Sequence, residues 1–503
     1  MKILISILLI TNYSLLNIYC QWQPDFRLTN DPAISVTSQN TEWCIASIGD
    51  VVHVAWADGR QNPPGNYEIF YKRSTDGGLN WGLDKRLTNF SNLTWFPSIA
   101  VSGSIVQIVW YKGWIRQEIY YIHSTDSGLN WGTITQLTND TASSLYPSLA
   151  VSGLFTHVVW EDKRDWSSEI YYKRSIDGGF SWGTDTRLST KSVYAHSYRP
   201  SIAVSGSYVH VVWQDTRDAP PWNYETYYKR STDGGSSWGT DTRLTNDSGY
   251  SGMPSIAVSG SYVHVVWFGG YYGYPEIYYK HSTDGGTSWL ADMQITNNPA
   301  SSYIPSCAAN GSNVHIVWAD NRDGNYEIYY KFSSDNGFNW ATDSRLTINS
   351  AYSYNPSVSV SGSFVHAVWN DDRDGNSEIY YKRNPTGNPV SITSISSEIP
   401  KEYILSQNYP NPFNPTTKIK FAVPPSPYGE GKTALAVGVR LFIYDILGRE
   451  IQTLVNEDLQ PDIYEAEFDG SNYPSGIYFY NLSVVETTRR VVFTESKKMI
   501  LIK

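Results

Sequence analysis

The feature that most constrains this chain is a block of about 52 residues that occurs seven times before residue 384. Most copies contain an apolar segment ending in Ser-Gly, then Val-His-Val-Val-Trp, Glu-Ile-Tyr-Tyr-Lys, Ser-Thr-Asp-Gly-Gly-x-x-Trp and Arg-Leu-Thr-Asn, with small variations. The Val-Val-Trp segments end at Trp56, Trp110, Trp160, Trp213, Trp267, Trp318 and Trp369. A repeat of this length is typical of propeller blades, which bury their apolar faces against neighbouring blades.

Each block holds four short apolar or alternating segments separated by Gly, Asp, Asn or Pro, which predicts four β-strands joined by turns. We call these strands A to D in chain order, and in the fourth block they are predicted at 202–205, 208–213, 225–230 and 243–246. No segment has sustained helical periodicity. The predicted fold class is therefore all-β, with seven four-stranded blades arranged as a propeller.

The two ends of the repeated region are complementary. Strand D occurs seven times, and its first copy, which begins at Arg27, precedes any strand A. The last A-B-C set, from Pro356 to Lys382, has no strand D after it. The sequence therefore predicts that the N-terminal strand completes the seventh blade, which would tie the chain ends together and remove an open sheet edge.

The C–D turns carry the motif Ser-x-Asp-x-Gly-x-x-Trp in six blades, and the seventh has lost it. The motif resembles the Asp box, or bacterial neuraminidase repeat, of sialidase-like propellers. We interpret it as structural, because an Asp carboxylate can accept N–H groups within a turn, Gly permits positive φ, and Trp is a large apolar anchor. The resemblance also implies that these turns lie opposite any active site. Their aspartates are Asp76, Asp126, Asp177, Asp233, Asp284 and Asp335.

The B–C loops repeat a second pattern, Asp-x-Arg followed by Glu, most clearly from Asp320 to Glu327. It is similar to the turn of TolB-type propeller repeats, in which we expect Asp and Arg to pair. The sialidase-like resemblance implies an alternative, because that family uses Arg, Tyr, Glu and Asp on this face. However, these residues recur in nearly every blade, the Arg-Ile-Pro signature is missing, and Arg199-Pro200 is its nearest fragment. No catalytic residue is assigned, and a sialidase-like exo-glycosidase remains an alternative.

Aromatic residues in the B–C and D–A loops do differ between blades. Aromatic rings offer flat apolar faces that suit sugars, and loops on a rigid scaffold are where binding residues concentrate. The alternative is that these rings pack beneath neighbouring loops. The candidate ligand-binding residues are Trp95, Trp114, Trp166, Trp222, Tyr271, Tyr272 and Tyr274.

One position of strand B is His in six blades and Gln107 in the other. Strand B lies outside the innermost strand, so these side chains cannot converge on a metal, and we expect hydrogen bonds between blades instead. No signature of nucleotide, flavin or haem binding occurs, so we predict neither metal nor cofactor. The net charge of −10 argues against a nucleic-acid partner.

The N-terminus predicts a secretory signal peptide over residues 1–20. Lys2 is followed by an apolar run, 3–10, that is too short to span a bilayer, and cleavage is expected near Cys20. No later stretch reaches the roughly 18 apolar residues of a membrane helix. We therefore predict no transmembrane segment in the mature protein.

After the propeller, predicted over 21–383, comes a linker (384–402) rich in Pro, Ser, Thr and Gly. Residues 403–503 contain Tyr409-Pro-Asn-Pro-Phe-Asn-Pro-Thr-Thr417, and later Gly476-Ile-Tyr-Phe-Tyr480 and Lys497-Lys-Met499. This segment closely resembles the type A sorting domain of type IX secretion. The resemblance implies a small β-sandwich, the type IX machinery as a partner, and release from or attachment to the outer surface of a Gram-negative bacterium.

Together these features favour an exported recognition propeller that binds glycans or surface polysaccharide without catalysis. Two alternatives stay open: the sialidase-like glycosidase, and an adhesive surface protein that binds other proteins.

Overall fold

The structure, a computed structural model, describes residues 22–38, 44–60, 66–90, 92–190, 195–218, 223–246, 249–270, 274–385, 393–394, 400–425, 437–446, 448, 450–459, 461–470, 473–485 and 491–503. Pro24–Asn384 form one compact unit, and Pro385–Lys503 belong to a second. The predicted signal peptide, 1–20, lies outside the described residues. Within those residues, no helix is long and apolar enough to cross a bilayer.

The first unit consists of short strands joined by turns and loops. In chain order they are β1 (Phe26–Arg27), β2 (Ser35–Val36), β3 (Ile45–Ile48), β4 (Val51–Asp58), β5 (Glu68–Ser74), β6 (Lys85–Arg86), β7 (Thr94–Ser102), β8 (Ile105–Lys112), β9 (Glu118–Ser124), β10 (Thr135–Gln136), β11 (Ser144–Ser152), β12 (Phe155–Asp162), β13 (Glu169–Ser175), β14 (Thr186–Arg187), β15 (Ser197–Ser205), β16 (Tyr208–Asp215), β17 (Glu225–Ser231), β18 (Thr242–Arg243), β19 (Tyr250–Ser259), β20 (Tyr262–Gly270), β21 (Glu276–Ser282), β22 (Met293–Gln294), β23 (Ser302–Asn310), β24 (Asn313–Asp320), β25 (Glu327–Ser333), β26 (Ser344–Arg345), β27 (Ser353–Ser361), β28 (Phe364–Asp371) and β29 (Glu378–Asn384).

These strands form antiparallel sheets, which we number 1 to 7 in chain order. Sheets 2 to 6 each pair four consecutive strands, beginning with β7, β11, β15, β19 and β23. In sheet 1 both β2 and β3 pair with β4, followed by β5 and β6. Sheet 7 combines β27, β28 and β29 with β1, where Phe26 faces Tyr381 and Arg27 faces Tyr380. The all-β prediction is confirmed, and the four-stranded antiparallel sheets match propeller blades.

The innermost strands of successive sheets contact one another. The contacts run through β3, β7, β11, β15, β19, β23 and β27, and β27 also contacts β3. A cavity of about 200 Å³ is lined by strand A residues of all seven sheets, including Ala46, Ala100 and Val358. The N-terminal and C-terminal sheets of the unit are therefore neighbours.

Strand B is the most deeply buried strand of each sheet. Its Val-Val-Trp tryptophans, from Trp56 to Trp369, are fully buried, as are the flanking valines and isoleucines. Both faces of this strand pack against apolar residues of the sheets on either side, for example in the cluster that joins Ile69 to Trp110. A strand buried on both faces requires a continuous apolar run, which explains the repeated Val-His-Val-Val-Trp.

The Ser-x-Asp-x-Gly-x-x-Trp turns are held by their own polar side chains. Asp76 accepts hydrogen bonds from the Ser74 hydroxyl at 2.7 Å and from the Asn80 backbone N–H at 2.9 Å. The Ser74 hydroxyl in turn accepts the N–H of Gly78, whose φ is +86°. These bonds lower the pKa of Asp76 to about 2, chiefly through the Asn80 N–H. The aspartate therefore stabilises the turn.

A tyrosine from each preceding sheet packs against these turns. The Tyr381 hydroxyl of sheet 7 lies where a Cβ on Gly78 of sheet 1 would be, so only glycine fits there. The tryptophan of the same turn, Trp81, meets the Tyr381 ring edge to face at 4.9 Å. The same contact recurs at 4.8 to 4.9 Å in the pairs Trp131–Tyr71, Trp182–Tyr121, Trp238–Tyr172, Trp289–Tyr228 and Trp340–Tyr279.

The strand B histidines hydrogen-bond to these tyrosines. Each Nδ1 lies 2.7 to 2.8 Å from the hydroxyl of a tyrosine on strand C of its own sheet, as in His53–Tyr71 and His366–Tyr381. The prediction of bonds between blades is therefore wrong for the histidines, whereas Gln107 Nε2 does donate to the Gly178 carbonyl of the next sheet, at 3.4 Å. The histidine holds the tyrosine from within its sheet, and the tyrosine makes the contact with the next sheet.

The second unit contains two four-stranded antiparallel sheets. Residues of both sheets, among them Ile419, Phe421, Leu441 and Leu482, share one buried core, as in a β-sandwich. Within the span predicted as a linker, Thr393–Ser394 pair with this unit and Asn384 ends β29. The strands are β30 (Thr393–Ser394), β31 (Ile404–Leu405), β32 (Thr416–Val423), β33 (Val437–Tyr444), β34 (Glu450–Leu459), β35 (Asp462–Asp469), β36 (Gly476–Val485) and β37 (Val491–Leu501).

The contact between sheets 7 and 1 predicts that adding a Cβ at Gly78 destabilises the fold. We expect Gly78→Ala to lower the free energy of unfolding by about 1–3 kcal/mol more than Gly103→Ala. Both glycines have positive φ, but a Cβ on Gly78 overlaps the Tyr381 hydroxyl, whereas a Cβ on Gly103 meets nothing within 4 Å. Urea denaturation of the two purified variants measures the difference, and equal destabilisation would show that Tyr381 does not press on this turn.

Candidate functional site

We call the end of the first unit where strands B finish and strands A begin the loop face, and the opposite end the turn face. Among the described residues, five sheets have a buried aspartate at the end of strand B. Asp58 accepts hydrogen bonds from Trp56 Nε1 at 2.8 Å and from the Ser35 hydroxyl at 3.0 Å. Arg60 donates to both Asp58 oxygens, through Nε at 2.8 Å and Nη2 at 2.6 Å. The equivalent pairs are Asp162–Arg164, Asp215–Arg217, Asp320–Arg322 and Asp371–Arg373.

The arginine of each pair has further partners. Arg60 Nη1 donates to Asp84 at 2.6 Å, and the guanidinium lies 4.6 Å from the centroid of the Phe70 ring. Burial lowers the pKa of Arg60, but the bonds to Asp58 and Asp84 outweigh it and raise the pKa above its ordinary value. These contacts give the repeated Asp-x-Arg loops a structural role, in line with the interpretation from the sequence.

Sheets 2 and 5 lack this ion pair. Lys112-Gly113 and Gly269-Gly270 stand where the other sheets have Asp-x-Arg, and Nε1 of the preceding Trp110 and Trp267 has no hydrogen-bond partner. In sheet 2 the loop presents Trp114 instead, which is 60% exposed. The loop face therefore departs from the repeat at this sheet.

An aromatic groove lies on the loop face beside Trp114, with a volume of about 360 Å³. Tyr67 meets Trp95 edge to face at 4.2 Å, and Phe96 stacks on Tyr111 at 5.6 Å. Strands and adjoining loops of sheets 1, 2 and 3 supply its walls, so the groove crosses the junctions between sheets. Its lining residues are Tyr67, Leu93, Trp95, Phe96, Tyr111, Trp114 and Tyr146.

A β-bulge in strand A aims residues into this groove. The ladder between β7 and β8 shifts register between Trp95 and Ser98, and Phe96 has a φ of +54°. Tyr146 occupies the same bulge in sheet 3 with a φ of +52°. Bulges redirect side chains near functional sites, and positive φ in large residues is strained. The corresponding residues in the later sheets are Arg199, Met253, Ile304 and Asn355.

The structure places the predicted aromatic residues in different surroundings. Trp95 and Trp114 line the groove together. Trp166 is 99% exposed and Tyr274 is 68% exposed, and neither lines it. Trp222, Tyr271 and Tyr272 lie outside the described residues.

Two residues near the groove, Glu161 and Arg199, were not among the predicted site residues. Glu161, the residue after the strand B tryptophan of sheet 3, is buried and accepts a hydrogen bond from the Ser168 hydroxyl at 2.9 Å. The Arg199 backbone N–H and guanidinium charge also act on this carboxyl. The Arg199 guanidinium lies 5.2 Å from the centroid of the Tyr146 ring, which lines the groove.

Burial dominates the electrostatics of Glu161. It raises the pKa of this carboxyl to about 7, although Ser168, Lys163 and Arg199 act in the opposite direction. Burial also raises the pKa of the neighbouring Tyr198 to about 12, with the charge of Glu161 as a further cause. Comparing the seven repeats position by position could have found Glu161 and Arg199, because both stand where the other repeats vary.

Residues 407–494 match the secretion system C-terminal sorting domain. The match confirms the sorting domain predicted from the sequence and marks the chain for handling by type IX secretion. Among curated proteins, none matches this chain.

Several solved structures are similar to the chain. Polysaccharide lyase Uly1 has 9% sequence identity and a TM-score of 0.52, over 73% of this chain and 100% of that one. An ulvan lyase, from a new family of polysaccharide lyase, has 10% identity and a TM-score of 0.50, over 69% and 94%. A Trypanosoma rangeli sialidase has 10% identity and a TM-score of 0.43, over 83% and 85%. The two lyase likenesses show a shared fold.

The raised pKa of Glu161 predicts a specific pH dependence of stability. The pKa of this carboxyl is about 7 in the folded chain and 4.5, its ordinary value, in the unfolded chain. Between these pH values the folded chain keeps a proton that the unfolded chain has lost, so the group lowers stability as pH rises through that window. As pH rises from about 5 to about 8, we expect the free energy of unfolding of Glu161→Gln to increase relative to that of the parent chain by up to about 3 kcal/mol. Urea denaturation at both pH values tests this, and a pH-independent difference would contradict it.

Proposed function

We propose that the first unit is a seven-bladed β-propeller closed by β1. The pairing of β1 with β29 supports closure, as do the contacts between β27 and β3 and the Tyr381 ring seated on Gly78 and Trp81. The six Ser-x-Asp-x-Gly-x-x-Trp turns correspond to the Asp boxes of sialidase-like propellers. Such a ring makes the loop face a rigid platform on which individual loops can vary.

We further propose that this protein is an exported recognition propeller that binds polysaccharide, without cleaving it, in the aromatic groove. The observation that carries this function is the groove of Tyr67, Trp95, Phe96, Tyr111, Trp114 and Tyr146 on one side of the loop face. Its volume of about 360 Å³ falls within the roughly 300–1,000 Å³ of small-ligand pockets.

The chemistry of the groove suits sugar rings. Its walls are flat apolar faces, and Tyr and Trp have polar edges that can bond to hydroxyl groups. Trp114 is largely exposed, whereas Phe96 is buried and its ring contacts those of Trp95, Tyr111 and Tyr146. A rigid, preformed aromatic surface loses little conformational entropy on binding.

The repeated loop carboxylates support binding over catalysis. Glycoside hydrolysis commonly needs two carboxyl groups at a defined separation, one of them able to give up a proton. Asp58 and its equivalents are instead held by Trp, Ser and Arg side chains. Glu68 likewise accepts bonds from Arg86 and from the Phe90 backbone N–H. These groups stabilise the loops.

Glycan cleavage is the second candidate function, favoured by one observation. Glu161 combines a buried carboxyl, a pKa near 7 and neighbouring Arg199 and Tyr198 side chains, and such perturbed groups concentrate at functional sites. The proteins of similar fold named above include polysaccharide lyases. Release of reducing ends or unsaturated sugars from a bound polysaccharide would favour this second function.

The C-terminal unit supports an extracellular setting. Its match to a secretion sorting domain fits delivery across the outer membrane after export by an N-terminal signal peptide. A polysaccharide outside the cell, or on its surface, is then the ligand available to the propeller. We propose the boundaries 21–383, 384–402 and 403–503 for propeller, linker and sorting domain.

The groove predicts which tryptophans matter for binding. We expect Trp114→Ala and Trp95→Ala each to weaken polysaccharide binding about tenfold, because each loses a stacking face worth roughly 1 kcal/mol or more. Affinity electrophoresis against a panel of plant, algal and bacterial polysaccharides measures the effect. Trp166→Ala is the matched control, because Trp166 is fully exposed and lies outside the groove. Loss of binding in the control alone would place the ligand elsewhere.

The sorting domain predicts the fate of a truncated chain. We expect removal of residues 403–503 to leave the propeller folded and retained in the periplasm, because Pro24–Asn384 form a compact unit with its own core. Cell fractionation followed by immunoblotting tests the prediction. Arrival of the truncated propeller in the medium, without lysis, would show that this domain does not direct export.

A further inference from the structure

The residue that follows the strand B tryptophan varies between the sheets. The seven residues there are Ala57, Tyr111, Glu161, Gln214, Phe268, Ala319 and Asn370, so Glu161 is the single carboxyl among them. Of the bulge residues of strand A, Arg199 is the single cation. The two unique charges are neighbours, because Glu161 of sheet 3 faces the bulge of sheet 4.

The scaffold role of this position is visible in two other sheets. Gln214 Oε1 accepts the backbone N–H of Met253 at 3.0 Å, in the bulge of the next sheet. Asn370 Oδ1 accepts the N–H of Thr37 at 2.9 Å. A neutral amide is therefore sufficient to bond the bulge of the neighbouring sheet.

Glu161 is a costly substitute for such an amide. Its Oε1 accepts the Ser168 hydroxyl and the Arg199 backbone N–H acts on the carboxyl, yet its Oε2 is buried and forms no hydrogen bond of normal geometry. Burying a carboxyl without complete hydrogen bonding lowers stability, and an unsatisfied buried group requires an explanation. We infer that the carboxyl serves a purpose other than the scaffold.

The surroundings connect Glu161 to the groove. The side chains that act on it are Ser168 and Lys163 from its own sheet, and Arg199 and Tyr198 from sheet 4. Nδ1 of His196 accepts the Ser168 N–H at 3.1 Å, and its ring stacks on Tyr198. Arg199 in turn lies over Tyr146, so a cation is held at the sheet 4 end of the aromatic groove.

We propose that Arg199 binds the anionic group of an acidic polysaccharide seated in the groove, and that Glu161 is a positioning residue that holds Arg199 when ionised and leaves it to the ligand when protonated. The proposal rests on the polysaccharide-binding function above and adds the substrate class and its control by pH. Sugar carboxylates and sulfate esters share the required chemistry, because both accept N–H bonds from a guanidinium.

The consequence is a pH-dependent affinity. Burial raises the pKa of Glu161 to about 7, so the carboxyl is largely neutral at about pH 6 and ionised at about pH 8.5. An ionised Glu161 competes with the ligand anion for Arg199, so acidic polysaccharides bind more weakly at the higher pH. Neutral polysaccharides are not subject to this competition.

The experiment uses the full chain and three probes: polygalacturonate with carboxylates, dextran sulfate with sulfate esters, and uncharged dextran. Isothermal titration measures binding at both pH values for the parent chain, Glu161→Gln and Arg199→Met. Both substitutions copy residues that other sheets carry at the same positions, Gln214 and Met253, so folding is expected. His196→Ser, which copies Ser143, is the control for the other titratable ring.

We expect the parent chain to bind at least one acidic probe about tenfold more tightly at the lower pH. Glu161→Gln is expected to bind equally well at both, Arg199→Met to lose the preference for acidic over neutral polymer, and His196→Ser to keep the parent profile. Preference for polygalacturonate or for dextran sulfate identifies the anionic group.

Other results overturn the proposal. An unchanged pH profile in Glu161→Gln removes the role of Glu161, and an unchanged acidic preference in Arg199→Met removes that of Arg199. Binding of dextran without acidic preference rejects this inference and leaves the proposed function standing. If no polysaccharide in the wider panel binds the parent chain and Trp114→Ala changes nothing, the proposed function fails as well.

Discussion

The contact between a tyrosine of one sheet and the glycine and tryptophan of the next is the interaction on which the first unit depends. The tyrosine hydroxyl is held by a histidine of its own sheet, and its ring meets the next tryptophan at 4.8 to 4.9 Å. Because the same contact joins sheet 7 to sheet 1 through Tyr381 and Gly78, the chain ends are held together in the same way as the five successive pairs from sheets 1 and 2 to sheets 5 and 6. A protein with no disulfide between Cys44 and Cys307 gains its rigidity from this repetition.

A scaffold that repeats so regularly makes its exceptions informative. Five sheets close the loop face with a buried Asp–Arg pair, and sheet 2 replaces that pair with Gly113 and an exposed Trp114. Sheets 3 and 4 place Glu161 and Arg199 where the other sheets have neutral residues. These departures are adjacent, so they form one aromatic and charged region across sheets 1 to 4.

Repetition also explains what the sequence could predict. The period, the Val-Val-Trp strands and the leading strand D predicted the four-stranded sheets, because each signal recurs. The predicted partner of the strand B histidines was wrong. Spacing in the sequence does not show whether such a side chain bonds to the adjacent strand of its own sheet or to a neighbouring blade. The groove was found only in part: Trp95 and Trp114 were predicted, whereas Phe96 and Tyr146 enter it through bulges with positive φ. Which of several exposed aromatics share one groove depends on packing between sheets.

The central claim is that the ligand lies along this region of the loop face. A crystal structure of the chain with an acidic oligosaccharide tests it most directly. We expect a sugar ring stacked on Trp114 and Trp95, with its anionic group toward Arg199. Density for the sugar on the turn face, or at Trp166 with the groove empty, would contradict it.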